Sequence, residues 1–213
     1  MKGLFISGSG TDVGKTFVAR HIIQILNEKY TVIARKPIES DCIKTDAGLI
    51  PKDAKVLNDA CTNPESIDIV CPFRFEARVS GEKASAEQGA IVCLQDLVQA
   101  VQPTNDSDFV VIEGAGGFYS PIAQQALNSD FASALGLSVV IVVKDELGAI
   151  NQALLSINAV KKHKLDVVML VLNQIIPNDL ANAEALSAYT DVKVVAFKKD
   201  QIKDFNAKVL ALI

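Results

Sequence analysis

The residues best equipped for chemistry lie in one stretch, Gly8-Ser9-Gly10-Thr11-Asp12-Val13-Gly14-Lys15-Thr16, between a short apolar run and an amphipathic one. A glycine-rich turn that leaves a strand and opens a helix offers backbone N–H groups and the positive end of the helix to an anion. Lys15 is placed to neutralise charge near the β- and γ-phosphates of a nucleotide, and the Thr16 hydroxyl to ligate Mg²⁺. The spacing departs from Gly-x-x-x-x-Gly-Lys-Thr in one respect. Ser9 stands where glycine is usual, and five residues rather than four separate Gly8 from Gly14.

Two carboxylates and a second lysine can complete such a site. Glu113 follows the apolar run Phe109–Ile112 and leads into Gly114-Ala115-Gly116-Gly117, whose backbone can approach phosphates closely. A carboxylate at the end of a buried strand calls for a charged partner. Asp53 precedes a helix-like Ala-Lys-Val-Leu run, where it serves either as a helix cap or as a ligand. Lys36 lies in Arg35-Lys36-Pro37-Ile38-Glu39-Ser40 at the end of another apolar run. By itself it reads as a solvated strand-end lysine; beside a nucleotide it becomes a group that stabilises charge during phosphoryl transfer.

The elements that must position these groups follow from hydrophobic periodicity. Leu4–Ser7, Thr31–Ala34, Phe109–Ile112, Ser138–Val143, Val167–Leu172 and Lys193–Phe197 read as strands, continuously apolar as befits strands covered on both faces. Thr16–Lys29, Gly148–Lys164 and Asp179–Tyr189 have helical length and spacing. The alternation predicts an α/β fold, a mostly parallel sheet flanked by helices, in a single domain over residues 1–213. Ligands bind such sheets at the carboxyl ends of the strands, so the loops after each strand are where chemistry is to be sought. Pro37–Gln88 is the least regular stretch.

Composition removes several classes of function. With 213 residues, 49% of them hydrophobic, and a net charge of −4, the chain has enough apolar surface for a sizeable core. No Lys/Arg run suggests a nucleic-acid partner, and no apolar run approaches the ~20 residues that span a membrane. Leu4-Phe5-Ile6 is too short for a signal-peptide core, so a soluble cytoplasmic protein is expected. Cys42, Cys61, Cys71 and Cys93 form no Cys-x-x-Cys pair and lie apart from His21 and His163, which argues for reduced thiols over a zinc site.

Taken in order, five segments resemble the dethiobiotin synthetase family. These are Gly8-x-x-Thr11-Asp12-Val13-Gly14-Lys15-Thr16, Lys36-Pro37-Ile38-Glu39-Ser40, Asp53-Ala54, Val111-Ile112-Glu113-Gly114-Ala115-Gly116-Gly117 and Leu147-Gly148-Ala149-Ile150-Asn151. With Asn173 they extend from residue 3 to roughly residue 177, and the shifted first glycine is shared with the family. The resemblance implies a P-loop NTPase-like fold and a homodimer that carboxylates 7,8-diaminopelargonic acid with CO₂ (or bicarbonate), ATP and Mg²⁺. By the same resemblance Lys15 and Lys36 are catalytic, and Thr16, Asp53 and Glu113 hold Mg²⁺. Thr11, Asp12, Val13, Gly14, Lys15, Thr16 and Phe17 wrap the nucleotide phosphates, joined by Gly114, Ala115 and Gly116, and Asn173 reads adenine. Ser40 contacts the substrate near its amines, while Gly148, Ala149, Ile150 and Asn151 take the substrate carboxylate from the other subunit.

The sequence departs from that family at three places. Asp41 replaces the glycine after Ser40, Arg78-Val79-Ser80-Gly81-Glu82-Lys83 lacks a Ser-Pro-His-like segment, and Val195-Ala196-Phe197-Lys198-Lys199 lacks Gly-x-Ile-Pro. Three other readings compete. The amidase–ligases of cobalamin synthesis need a glutaminase domain for which 213 residues leave no space. Partition and septum-positioning switch ATPases usually carry a lysine where this chain has Gly10. A nucleotide-binding module without catalysis would not need to keep every charged group.

Overall fold

A computed structural model describes all the residues, Met1–Ile213. Six strands form one sheet: β1 (Lys2–Gly8), β2 (Val32–Arg35), β3 (Phe109–Gly117), β4 (Ser138–Lys144), β5 (Val167–Asn173) and β6 (Val194–Phe197). Their spatial order is β6-β5-β4-β1-β3-β2, and every neighbouring pair is parallel. β1 lies between β3 and β4, so the chain changes direction across the sheet at the end of β1. That is the crevice where open α/β sheets bind ligands.

The apolar runs divide their side chains between two cores. Phe5, Val110, Ile112, Val139, Ile141 and Leu170 face one side, and Leu4, Ile6, Val111, Val140, Val142 and Val171 the other. The second side is covered by α1 (Lys15–Leu26), α2 (Lys52–Asp59) and the C-terminal helix Ile202–Leu212, through residues such as Val18, Leu57 and Phe205. Helices Leu94–Ala100, Asn128–Leu135 and Ala149–Lys162 cover the first, and the last of these is called α3 here. Within α3, Ile157 and Val160 are buried and Leu154 packs against the core, whereas Leu155 is exposed. No helix is long and apolar enough to cross a membrane.

Several boundaries differ from those read in the sequence. β3 continues from Ile112 to Gly117: after a shift of register the strand resumes its pairing at Gly117, opposite Gly8, with Gly116 in a left-handed conformation (φ 75°) between. α1 ends at Leu26 rather than Lys29, and the helix expected over Asp179–Tyr189 is only Asn182–Ser187, starting after Ala181 in a left-handed conformation (φ 52°). Pro37–Gln88 is not irregular. It contains α2, the single turn Ile67–Val70, the helix Gly81–Glu87 and two small strand pairs, each too short to leave a clear period.

A buried ion pair secures this segment to the sheet. Arg35, the fully buried last residue of β2, pairs with Glu65 through both guanidinium Nη atoms. Asn58 of α2 holds the Glu65 backbone from both sides, donating to its carbonyl at 2.8 Å and accepting from its N–H at 3.0 Å. The far end of α2 is thereby locked to the strand that delivers Lys36.

Candidate active site

The loop after β1 is shaped by two glycines. Gly14 is left-handed (φ 87°), and a Cβ there would lie 2.1 Å from the Asn173 amide nitrogen. At Gly8 a Cβ would meet Val13 at 2.8 Å and Lys15 at 3.0 Å, so this glycine permits the tight start of the loop. Ser9 has no such constraint: its N–H donates to the Val142 carbonyl and its hydroxyl to Gln152 of α3. No backbone N–H from Gly10 to Thr16 donates to another backbone group, which leaves a row of amides at the start of α1 for an anion.

The charged groups meet beside this row. Glu113, fully buried, accepts from Thr16 Oγ1 at 2.9 Å and from Lys36 Nζ at 2.5 Å, both on Oε1. Lys36 Nζ also lies 3.3 Å from Asp53 Oδ2, whose side chain is half exposed. Lys15 curls back over the loop and donates to the Gly10 carbonyl at 2.9 Å. Burial alone would depress the Lys36 pKa, but Glu113, Asp53 and Glu39 outweigh it and hold the ammonium above the ordinary lysine value. Lys15 moves the other way: burial and the neighbouring Lys36 lower its pKa, with Glu113 opposing.

These groups line a cleft of about 700 Å³. Of the residues expected to act, Thr11, Asp12, Gly14, Lys15, Thr16, Phe17, Lys36, Ser40, Asp53, Glu113, Ala115 and Gly116 lie on its wall. Val13, Gly114 and Asn173 do not; they support the wall from behind. Val13 is buried and its carbonyl accepts from Asn173 Nδ2 at 3.0 Å, while Gly114 packs against Asn128 and Phe5. Gly148, Ala149, Ile150 and Asn151 at the start of α3 also lie outside the cleft of their own chain. Ala149 is buried and its N–H is used by the Glu146 carbonyl, so the free N–H groups there belong to Gly148, Ile150 and Asn151.

Asp53 is not a helix cap. Pro51 occupies the capping position of α2, without a side-chain acceptor, and Asp53 sits one residue inside the helix with its carboxylate toward Lys36. The first-turn N–H groups are accepted by Glu39, to which the sequence alone assigns no role. Its own pKa is raised by burial, with Lys36 and the two N–H groups opposing.

Asn128 is a second supporting residue without a sequence signal. Its amide accepts from Ala115 N and donates toward the carbonyls of Ala115, Gly117 and Ser120, clamping the glycine loop after Glu113. Arg78, from the segment without a family counterpart, reaches across the cleft mouth to Asp12 at 3.2 Å.

A nucleotide-sized cleft at the switch point of a parallel sheet, with a glycine-rich turn, a lysine and a hydroxyl at a helix start, defines a P-loop nucleotide-binding protein. A family model described as an AAA domain matches residues 2–197. The ATP-dependent dethiobiotin synthetase BioD of Ruthia magnifica subsp. Calyptogena magnifica is 51% identical over 213 residues, 100% of this chain and 99% of the relative. Its namesake from Vesicomyosocius okutanii subsp. Calyptogena okutanii is 50% identical over 98% of this chain and 95% of its own, and that of Aeromonas hydrophila 32% identical over 82% and 79%. The chain belongs to the dethiobiotin synthetase family.

Solved structures that resemble it include a putative plasmid partition protein from Borrelia burgdorferi bound to AMPPNP (TM-score 0.57, 12% identity, 99% and 97% coverage). Another is the septum site-determining protein MinD with Mg-ADP from Pyrococcus horikoshii (TM-score 0.52, 18% identity, 100% and 87% coverage). At such identities they establish the fold and nothing of the chemistry.

The geometry makes an asymmetric prediction for the nucleotide-free protein. Glu113→Gln removes the buried partner of a buried ammonium and should cost about 3 kcal/mol of unfolding free energy, the low end for breaking such a pair because Asp53 remains. Asp53→Asn alters a half-exposed partner and should cost less than about 1 kcal/mol. Urea unfolding reads both, and equal costs would remove Glu113 as the main partner of Lys36.

Proposed function

We propose that this chain, a soluble cytoplasmic enzyme acting as one P-loop domain, uses ATP, Mg²⁺ and CO₂ to convert 7,8-diaminopelargonic acid to dethiobiotin, ADP and phosphate, an ATP-dependent ligase step of biotin synthesis. The observation that carries the reading is Lys36, a buried ammonium held by Glu113 and Asp53 at the edge of the phosphate loop. The cleft wall contains neither cysteine nor histidine, which suits a reaction run by positioning and charge neutralisation over one that needs a protein nucleophile. The relatives named ATP-dependent dethiobiotin synthetase support the same reading.

In this reaction one substrate amine adds to CO₂ and loses a proton, giving a carbamate. A carbamate oxygen attacks the γ-phosphorus, and ADP leaves with the electrons of the broken P–O bond. The second amine then attacks the carbonyl carbon of the mixed anhydride, closes the ureido ring and expels phosphate. Loop amides and Lys15 seat the phosphates, Lys36 balances charge on the carbamate and the transferred phosphoryl group, and Ser40 orients the amines. Thr16, Asp53 and Glu113 would hold Mg²⁺. Support comes from Glu113 Oε2, a buried oxygen with no partner in the chain, and from the match of one hydroxyl and two carboxylates to an ion that takes its other ligands from phosphates and water. When bound there, the ion would supply neutralisation of phosphate charge. Asn173 contributes to adenine recognition.

The substrate carboxylate is bound at Gly148–Asn151 of a second subunit in a homodimer. Three observations support this. The start of α3 lies outside its own chain's cleft, and its N–H groups carry the helix's partial positive charge. Leu147 beside it is 90% exposed, an apolar side chain suited to a subunit contact.

ATP hydrolysis with and without diaminopelargonic acid and bicarbonate tests the reaction. Turnover should depend on the diamine, and Lys36→Gln should lower kcat by roughly 10²–10³-fold, as for loss of one preorganised charge-stabilising group. Hydrolysis indifferent to the diamine would instead support a nucleotide switch.

For the dimer, Lys36→Gln and Asn151→Trp, each inactive alone, should regain activity when their subunits are exchanged, because one composite site then escapes both lesions. Exchange without recovery would confine the site to one chain.

A further inference from the structure

The orientation of α2 depends on a residue outside it. The helix begins after Pro51, which brings no side-chain acceptor, so the first-turn N–H groups need a partner from elsewhere. Glu39 supplies it: Oε1 accepts from Asp53 N at 2.9 Å and Oε2 from Ala54 N at 2.8 Å. Glu39 is only 3% exposed, and its place is set by its own backbone. It lies in the strand Ile38–Glu39, paired with Phe73–Arg74, and its carbonyl accepts from Phe75 N at 2.9 Å. A carboxylate fixed in this way brings negative charge to the positive end of a helix and pins its first turn in two places.

We propose that Glu39 is a positioning residue. By capping α2 from a different element, it sets the Asp53 carboxylate against Lys36 and at the metal position assigned above, on which this proposal rests. Glu39 acts through the backbone of Asp53 and need not touch substrate. The two ends of α2 are fastened separately. Arg35, Glu65 and Asn58 hold the far end, and Glu39 holds the end that bears the ligand.

A local cap separates this role from direct contact with the ligand. Pro51 has extended backbone angles (φ −78°, ψ 112°), so Ser fits there and its hydroxyl can accept from the same first-turn N–H groups. The measurements, on the full chain, are calorimetric binding of ADP in EDTA and across a Mg²⁺ titration, and hydrogen exchange at the Asp53 and Ala54 amides. Glu39→Ala should raise the Mg²⁺ concentration for half-maximal enhancement of ADP binding by about tenfold or more, in the range for groups that orient metal ligands. ADP binding in EDTA should change less than about twofold, because the loop amides and Lys15 are untouched. Exchange at both amides should accelerate, and Glu39→Ala combined with Pro51→Ser should reverse a substantial part of both effects.

Slow exchange that survives Glu39→Ala, or a folded double variant as impaired as the single one, would overturn the proposal. Should Glu39→Ala not fold, Glu39→Gln, which keeps one acceptor oxygen, should show a smaller change in the same direction, and wild-type behaviour would overturn the proposal. Asp53→Asn reports separately on the metal assignment. If it leaves the Mg²⁺ response intact while Glu39→Ala still frees the two amides, the metal reading fails and the cap stands.

Discussion

The site depends on one buried contact, the ion pair between Lys36 and Glu113. An ammonium and a carboxylate that are both withdrawn from water cost several kcal/mol each to desolvate, and they persist only where geometry and further hydrogen bonds compensate. Here Thr16 completes the carboxylate on one side and Asp53 the ammonium on the other. The four groups come from four elements, namely α1, the segment after β2, α2 and β3. Their convergence therefore requires the whole sheet and its connections to be correctly in place.

The parallel sheet brings them together by a simple rule. Each strand ends at the same edge, so Gly8, Arg35, Gly117, Lys144 and Asn173 all finish near one plane, and the loops that follow inherit a common crevice. Two cores, one on each face, make that edge stiff. The phosphate loop lies at the centre, where the strand order reverses, and Asn173 from two strands away supports it through the Val13 carbonyl. The same amide nitrogen sits where a side chain at residue 14 would have to go, so loop shape and strand position are coupled.

Much of this is legible in the residues. The six strands carry uninterrupted apolar runs; Lys15, Thr16 and Lys36 stand directly at strand or helix ends, and Glu113 stands where the apolar run of β3 gives way to its glycines. Asp53 is ambiguous in the sequence because the group that caps its helix, Glu39, is 14 residues earlier and belongs to a two-residue strand with no detectable period. Asn128 is invisible there for a similar reason: four contacts to the glycine segment after Glu113 leave no trace in a polar residue at the start of a short helix. The start of α3 is legible as a binding segment by resemblance alone, and only the fold places it away from its own cleft. Local signals carry the groups that do chemistry; the groups that hold them in register act over distances that periodicity does not encode.

On the proposed reading Glu113 and Asp53 would hold Mg²⁺ while Lys36 balances charge on the transferred phosphoryl group, so the resting contacts of Lys36 with both carboxylates would have to loosen. A crystal structure with Mg²⁺, a non-hydrolysable ATP analogue and the diamine measures this directly. Lys36 Nζ should then be found within hydrogen-bond distance of a γ-phosphate or carbamate oxygen, with Glu113 and Asp53 turned to the metal. A Lys36 still 2.5 Å from Glu113, with nucleotide seated in the loop, would contradict the account.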